Sequence, residues 1–391
     1  MEVPTPLEQA LREAATERAA IIGLPACADE GDHRFVLTPE GASQLVERGF
    51  RVKMESGAAN HIHYSDEAYS RCGVEIVDRA EAFGADIVVY LPVLSAHDAR
   101  LMGRGALLLT FHHSGEDALR GMECLLRRHI ITIALDRVRN ADGRLPFADI
   151  LADISGRAAI AIASSLLADA VHGKGILLGG VPGVIPCEVT VIGADLAGRA
   201  AAASAIGLGA MVRIFDNDTY RLREALRELG PGAIGSALHP RVLVGALRSA
   251  DIVVATSAAG DIVVDSATED LMKSGVLTFD LSDDPSRVFP AMPVVDLDMA
   301  SPYDCNPSAT VRLCYVNAGN AVPRTVAMAL TNAMVAMMDE IFVCDGVGNA
   351  LRLNAGLRAG AVTFLGKVVD PDVAAAMGMR AVDINLILQF S

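Results

Sequence analysis

The residues whose spacing most directly suggests chemistry lie in one stretch, VTVIGADLAGRAAAASAIGLGAMVRIFDND, which is typical of strand, tight turn, helix and strand. Gly193 and Gly198 stand at the first and last positions of a G-x-G-x-x-G fingerprint, where a glycine turn and a helix N-terminus receive the pyrophosphate of a dinucleotide. Asp216 follows the second strand, where an acidic side chain accepts the hydroxyls of an adenosine ribose. The stretch therefore predicts a dinucleotide site, with NAD favoured over NADP because Asp216 would repel a 2′-phosphate.

Asp195 stands at the middle position of this fingerprint, where the backbone must come closest to a pyrophosphate. An ionised carboxylate there opposes the charge of the phosphates and competes for the same N–H groups. Arg199, four residues further on, could draw the carboxylate aside and offset part of this repulsion. Alternatively, Asp195 caps the helix and replaces the phosphate. Weakened dinucleotide binding and replacement of the phosphate both stay open.

Two series of alternating strands and helices surround this stretch. Apolar runs such as ADIVVYLP and ALLLTFHH alternate with helical segments before it, and ADIVVATSAAGD and GVLTFDLSDD continue the pattern after it. This alternation predicts the α/β class with parallel sheets. Two long helices, in FADILADISGRAAIAIASSLLADAVHG and VPRTVAMALTNAMVAMMDEI, flank the second series.

These elements predict two Rossmann-like domains linked by the two long helices, with a ligand-binding cleft between the domains. A discontinuous substrate domain is expected over residues 20–147 and 322–391, and an NAD-binding domain over residues 148–321. Residues 1–19 are charged and lack the apolar core of a signal peptide, so we expect an amphipathic helical extension there.

The composition restricts the classes of partner. The net charge of the 391 residues is -15, which argues against binding to nucleic acid or to an anionic membrane. Seven cysteines at scattered spacings, without a C-x-x-C motif, indicate reduced thiols in a cytoplasmic protein. His61 and His63, in NHIHYSD, lack a third ligand at usable spacing, so they predict loop or subunit-contact residues and no metal site. A small molecule is the expected partner.

Four further motifs carry a resemblance to a known family. RFVLTPEG, DISGR, GKGILLGGVPGV and AVPRTVAMALTNA occur in this order along the chain. Together they resemble the alanine dehydrogenase and pyridine nucleotide transhydrogenase alpha-subunit family, from about Ala20 to the C-terminus. The resemblance implies an NAD-dependent oxidoreductase that interconverts an amino acid and a 2-oxo acid through an imine. It also implies a homo-oligomer, either a dimer or a hexamer.

The same resemblance implies roles for individual residues. Arg34 matches the arginine that holds the substrate carboxylate, a role that suits a planar guanidinium; an ordinary surface ion pair is the alternative. His113 matches the catalytic imidazole, and alternatively is a polar residue at a domain boundary. Asp284 matches an aspartate beside the nicotinamide, and Asn317 matches an asparagine nearby. Both could instead be helix-capping or turn residues.

Departures from the family pattern lie at the expected active site. The strand that ends at VVYLPVLS lacks the lysine that, in the family, binds the substrate carbonyl, and Ala152 replaces a serine at the pyrophosphate site. We therefore expect redox chemistry on an amino acid, imine or 2-oxo acid other than alanine and pyruvate. The competing hypothesis is a member without hydride transfer, a non-redox enzyme or a ligand-binding protein that uses the same cleft.

Overall fold

The computed structural model describes residues 20–27, 34–171, 173–282, 284–303, 312–344 and 346–390. The predicted helical extension over residues 1–19 lies outside the described residues, as does Asp283 beside the candidate Asp284.

The chain divides into two compact units. The first combines the residues up to Ala148 with those from Ala327 onward, and the second is Asp149–Val326. Each unit is built around its own sheet, and each is described by itself below.

The described strands are short, and most are runs of buried apolar residues. They are β1 (Ile21–Leu24), β2 (Arg51–Glu55), β3 (Glu75–Val77), β4 (Ile87–Val89), β5 (Leu107–Thr110), β6 (Ile131–Ala134), β7 (Glu188–Ile192), β8 (Met211–Phe215), β9 (Ala233–Ser236), β10 (Ile252–Thr256), β11 (Leu277–Leu281), β12 (Val294–Asp296), β13 (Leu313–Val316), β14 (Ala361–Phe364) and β15 (Lys367–Val368).

The described α-helices alternate with these strands through most of the chain. They are α1 (Pro39–Glu47), α2 (Asp66–Arg71), α3 (Arg79–Phe83), α4 (Ala96–Leu101), α5 (Glu116–Arg127), α6 (Pro146–Ala168), α7 (Leu196–Gly207), α8 (Thr219–Leu229), α9 (Pro240–Ser249), α10 (Ser266–Glu269), α11 (Pro285–Val288), α12 (Pro323–Val343), α13 (Val347–Leu353), α14 (Ala355–Ala359), α15 (Pro371–Ala376) and α16 (Ile384–Phe390).

The sheet of the first unit has the strand order β15-β14-β6-β5-β4-β1-β2-β3. Strands β1 to β6 are parallel, and the order reverses between β1 and β4. Such a switch point opens a crevice at the carboxyl ends of the strands, where open α/β sheets bind ligands. Strands β14 and β15 are antiparallel to their neighbours. This departs from an all-parallel sheet, because β14 comes from the C-terminal segment and is not joined to β6 by a βαβ crossover.

The sheet of the second unit has the order β12-β13-β11-β10-β7-β8-β9, and all of its pairings are parallel. Its order reverses between β7 and β10, so this unit has a switch point of its own. Central strands such as β10 are buried along their whole length, as expected where helices cover both faces. The predicted α/β class with two Rossmann-like, parallel-sheet units is confirmed.

The two long helices, α6 and α12, are unusually apolar. Both are long and apolar enough to span a membrane by length and composition alone. In the most apolar 18-residue window of each helix, 44% of α6 and 50% of α12 are buried. Two such helices are weak evidence, because core helices of soluble proteins meet the same criterion. The prediction that the protein has no membrane partner stays a prediction.

Candidate functional site

A pocket lies at the switch point of the first sheet. Segments that follow β1, β2 and β4 line it, and it brings together Arg34, His61 and Tyr90, with Cys27 and Pro92 beside them. We call this site the Arg34 pocket. The pocket contains Arg34, which is expected to hold a carboxylate, and Tyr90, which stands where the family resemblance implies a lysine.

Buried hydrogen bonds hold the chain that follows this arginine. The Arg34 guanidinium lies 5.4 Å from the centre of the Phe111 ring, a cation–π distance. The Tyr69 hydroxyl donates a hydrogen bond of 2.6 Å to the carbonyl of Leu37, and the Thr38 amide donates to the hydroxyl of Thr331. These buried bonds fix the backbone at Leu37 and Thr38, three and four residues after Arg34.

Tyr90 is buried and does not reproduce the chemistry of a lysine. Its ring is 5.3 Å from that of Phe83, over which the Arg79 guanidinium lies at 5.0 Å. Arg79 in turn donates to both carboxylate oxygens of Asp98, at 2.9 Å each, and to Glu55 at 3.1 Å. The hydrogen bonds to Asp98 raise the pKa of Arg79 above its usual range. Two carboxylates thus surround this cation.

His113 follows β5 at the same edge of the sheet. Its Nε2 lies 2.7 Å from the carbonyl oxygen of Leu91, which lines the Arg34 pocket. A carbonyl oxygen can only accept a hydrogen bond, so Nε2 carries the hydrogen and a neutral ring accepts at Nδ1. The neighbouring His112 uses its backbone amide to donate to Asp136. His113 is therefore linked to the Arg34 pocket through Leu91, whereas its side chain, like that of His112, lines a separate pocket of the same unit.

The second unit contains the glycine turn at its own switch point. Gly193 has φ +108°, and a Cβ there would lie 2.1 Å from the hydroxyl of Thr256. A Cβ on Gly198 would lie 2.0 Å from the carbonyl oxygen of Gly193. Both positions therefore require glycine, because the turn, the start of α7 and the end of β10 pack directly on one another.

Asp195 joins the two loops at this switch point. One carboxylate oxygen accepts a hydrogen bond of 3.0 Å from the Gly198 amide, and the other accepts one of 3.1 Å from the Ala258 amide. Asp195 is thus the N-cap of α7. Arg199 pairs with Glu228 at 3.4 Å instead of drawing Asp195 aside. The structure therefore does not support the hypothesis that Arg199 relieves the charge of Asp195.

Asp216 is fully buried at the end of β8, and its carboxylate receives four hydrogen bonds. Arg221 donates from Nε and a terminal nitrogen at 2.8 and 3.0 Å, and the amides of Ala194 and Asp218 donate at 2.8 and 2.7 Å. Burial raises the pKa of Asp216, but the hydrogen bonds from Arg221 and the two amides outweigh it and leave the pKa lowered. Arg221 is therefore part of this site, although sequence reasoning missed it. Arg221 lies in the first turn of α8, five residues after Asp216, and this spacing in the sequence could have indicated that the two side chains pair.

Asp284 and Asn317 lie on exposed loops of the second unit. Asp284 precedes α11, and its side chain makes no capping hydrogen bond to that helix. Asn317 has φ +58°, a left-handed conformation that asparagine tolerates, and its side chain donates to Asp296 at 2.8 Å. Their predicted places beside a nicotinamide stay predictions.

Comparison with known proteins identifies the relatives of this chain. Residues 23–155 match the N-terminal domain of the alanine dehydrogenase/PNT family, and residues 159–371 match its C-terminal domain. Alanine dehydrogenase of Bacillus subtilis is 32% identical over 94% of this chain and 98% of its own length. The enzyme of Staphylococcus saprophyticus is 30% identical over 94% of this chain and all of its own length.

Solved structures give the same relationship. An L-alanine dehydrogenase superposes with a TM-score of 0.79 at 25% identity, over 92% of this chain and 99% of the other. A transhydrogenase from Sinorhizobium meliloti, with a TM-score of 0.72 at 20% identity over 90% and 99% of the two chains, shares the fold. The prediction of an alanine-dehydrogenase-like oxidoreductase is confirmed at the level of the family. The chain therefore belongs to the alanine dehydrogenase and pyridine nucleotide transhydrogenase family.

Proposed function

We propose that the protein is an NAD(H)-dependent oxidoreductase acting on an amino acid, its imine or the corresponding 2-oxo acid, and that alanine itself is not the substrate. The single observation that carries this proposal is the Arg34 pocket, which lies at a switch point of a parallel sheet. A guanidinium there offers paired donors to a substrate carboxylate. The absence of a lysine at Tyr90 supports a substrate other than alanine.

In this proposal His113 exchanges the proton. With Nε2 donating to the carbonyl of Leu91, the neutral ring accepts at Nδ1 and can take a proton from a substrate amine or hydroxyl. The same hydrogen bond fixes the ring plane, which restricts the direction of proton transfer. Arg34 holds the carboxylate during this step.

The glycine turn fits the backbone pattern of a dinucleotide site. Gly193, Gly198 and the N-terminus of α7 would hold the pyrophosphate. The carboxylate of Asp216 is buried and already accepts four hydrogen bonds, so the partly exposed Arg221 beside it would face the adenosine ribose. When bound, the nicotinamide accepts or supplies hydride. The carboxylate of Asp195 already occupies two amides of the turn region and must move for a phosphate to use them.

Two measurements on the purified protein test this proposal. The first is titration with NADH, followed by energy transfer from tyrosine, since the chain contains no tryptophan. The second is NADH oxidation in the presence of ammonia and a panel of 2-oxo acids. We expect saturable NADH binding and turnover with a 2-oxo acid other than pyruvate, and loss of turnover without loss of binding in His113→Asn. Turnover with pyruvate near ~10 per second, a typical enzyme value, would contradict the substrate proposal.

One observation favours a second candidate, a protein that uses the carboxylate pocket without hydride transfer. The two hydrogen bonds that Asp195 accepts from Gly198 and Ala258 place a carboxylate where a phosphate would otherwise be bound. If NADH fails to bind while small carboxylic acids still stabilise the protein against heat, this second function is supported and the first is refuted.

The proposal also includes a cytoplasmic homo-oligomer, a dimer or a hexamer, with no nucleic-acid partner. It rests on the family membership and the net charge of -15. Light scattering of the purified protein tests the oligomeric state, and a monomer would contradict it.

A further inference from the structure

His61 is an ionisable side chain of the Arg34 pocket to which the proposed function assigns no role. We propose that His61 contacts the atom beside the substrate carboxylate, the 2-oxo oxygen or the imino nitrogen, and thereby distinguishes a 2-oxo acid from a plain carboxylic acid. The inference deepens the proposed function and rests on it, because it requires Arg34 to hold the carboxylate. His61 is then a specificity-determining residue for the reaction.

Its place in the fold supports this role. His61 lies in a 3-10 turn, Asn60–Ile62, beyond the carboxyl end of β2. Strand β2 is the parallel neighbour of β1, which forms one side of the switch point. The turn therefore reaches the same crevice as Tyr90, which follows β4 on the other side. The sequence could not reveal this, because 27 residues separate Arg34 from His61 along the chain.

The turn that carries His61 is well fixed. Asp66 accepts hydrogen bonds from the Gly57 amide at 2.9 Å and from the Ser56 hydroxyl at 2.8 Å, which closes the loop at its base. Ile62, next in the chain, is fully buried and anchors the turn in the core. An imidazole held on such a turn needs little additional ordering to bind a ligand.

The carboxylates on this loop already have partners. Asp66 is engaged by its own loop, and Glu55 accepts from Arg79 at 3.1 Å and from the Ala26 amide at 2.7 Å. Among the described residues that line the pocket, the other ionisable side chains are those of Arg34, Cys27 and Tyr90. His61 thus lies beside a guanidinium and two weakly acidic groups, a setting that favours a ligand bearing negative charge and a polar acceptor.

The chemistry of imidazole matches both forms of the proposed substrate. An imidazolium donates a hydrogen bond to the carbonyl oxygen of a 2-oxo acid, and a neutral imidazole can accept one from an amine or an imine N–H. Tyr90 cannot act as the cation that the family resemblance implies, because a phenol is neutral near pH 7. Among the described residues of the pocket, His61 carries an imidazole, which can donate to an oxo oxygen or accept from an imine N–H.

The test compares ligands that differ only in the oxo group. Binding of 2-oxobutyrate and butyrate, and of 4-methyl-2-oxopentanoate and 4-methylpentanoate, is measured by calorimetry on the full chain. The variants are His61→Ala and His61→Gln, with His63→Ala as the matched control. His63 is two residues away and is exposed, as His61 is, but it does not line the pocket. Thermal unfolding of each variant reports whether the fold is retained.

We expect the wild type to prefer each 2-oxo acid about 10-fold or more over its partner, the scale of one hydrogen bond from a charged group. His61→Ala should lose this preference and keep its affinity for butyrate. His61→Gln, whose amide can also donate to an oxo oxygen, should keep part of the preference, and His63→Ala should change nothing. An unchanged preference in His61→Ala, or an equal loss for both ligands, would overturn the inference. Absence of all carboxylate binding in the wild type would instead refute the proposed role of Arg34, and His61 with it.

Discussion

Replacement of Asp195 by glycine is the most direct test of the nucleotide site. The carboxylate accepts hydrogen bonds from the Gly198 and Ala258 amides at 3.0 and 3.1 Å, so a phosphate oxygen and this carboxylate cannot use the two amides together. Even when displaced to ~5 Å, one like-charge pair costs about 3 kcal/mol at an effective dielectric constant of ~20. Solvent at this partly exposed loop reduces that value. We therefore expect Asp195→Gly to tighten NADH binding by roughly 10-fold to 100-fold.

The effect on stability should be modest, because glycine replaces an aspartate N-cap at a cost of only a few tenths of a kcal/mol and the lost bond from the Ala258 amide adds about 0.5–1.5 kcal/mol. Asp265→Gly is the matched control: Asp265 caps α10 through the Thr268 amide at 2.8 Å, away from the glycine turn. It should leave the affinity for NADH unchanged. Asp195→Asn removes the charge but keeps one acceptor, so it should give an intermediate gain.

The assay is titration with NADH, detected by energy transfer from tyrosine and repeated at two salt concentrations. If Asp195 opposes NADH by charge repulsion, the gain in affinity decreases as salt is added. If the gain comes from freeing the Gly198 and Ala258 amides, it does not depend on salt. If Asp195→Gly binds NADH no more tightly than the wild type, and the wild type already binds at micromolar concentrations, then the two amides contribute nothing to nucleotide binding and the reasoning is refuted.

Three further predictions concern other parts of the two units. Arg34→Lys should weaken binding of 2-oxo acids about 10-fold or more, because lysine lacks the paired donors, and unchanged stabilisation by these ligands in thermal unfolding would place the site elsewhere. Gly193→Ala should lower the free energy of unfolding by roughly 2–4 kcal/mol, because its Cβ would lie 2.1 Å from a threonine hydroxyl at φ +108°. Gly207→Ala, where a Cβ meets open space, is its control, and equal effects in urea denaturation would contradict the account. Since the folded-state pKa of Asp216 is lowered, its contribution to stability should be present above ~pH 4, the ordinary carboxyl range, and should be lost as the pH falls through the lower folded value. Arg221→Leu should lower the free energy of unfolding by about 1–3 kcal/mol at pH 7, because it leaves the buried charge of Asp216 without its partner. Adding Asp216→Asn removes that charge and should recover part of the loss.

Local patterns were enough to predict the elements. Runs such as LLLT and IVVAT are apolar up to a closing threonine, which is typical of strands covered on both faces, and both are fully buried strands. Gly193 could also be predicted, because a glycine between a strand and a helix indicates a tight turn that excludes a side chain. The antiparallel β14 could not, since its partner β6 is more than 200 residues away and no crossover constrains its direction.

The partners of the site residues were beyond local reasoning. Arg199 was expected to approach Asp195 from one helical turn away, but the second acceptor of Asp195 pairs with Ala258, in the loop after β10. His61 was interpreted as a loop or subunit-contact residue, and the fold brings it to the Arg34 pocket. In both cases the contact joins loops that follow adjacent strands of the sheet, and these loops are distant from one another along the chain.

The reversal of strand order within each sheet has a consequence for how this protein can change over time. The first unit contains the residues that would recognise a carboxylate, and the second contains the turn that would receive a nucleotide, each at the switch point of its own sheet. A substitution such as aspartate at position 195 alters hydrogen bonds within the second unit alone. Selection can therefore weaken or remove cofactor binding and leave metabolite recognition intact. In this architecture, a single substitution in the glycine turn can convert a redox enzyme into a protein that only binds its metabolite, because the Arg34 pocket is left unchanged.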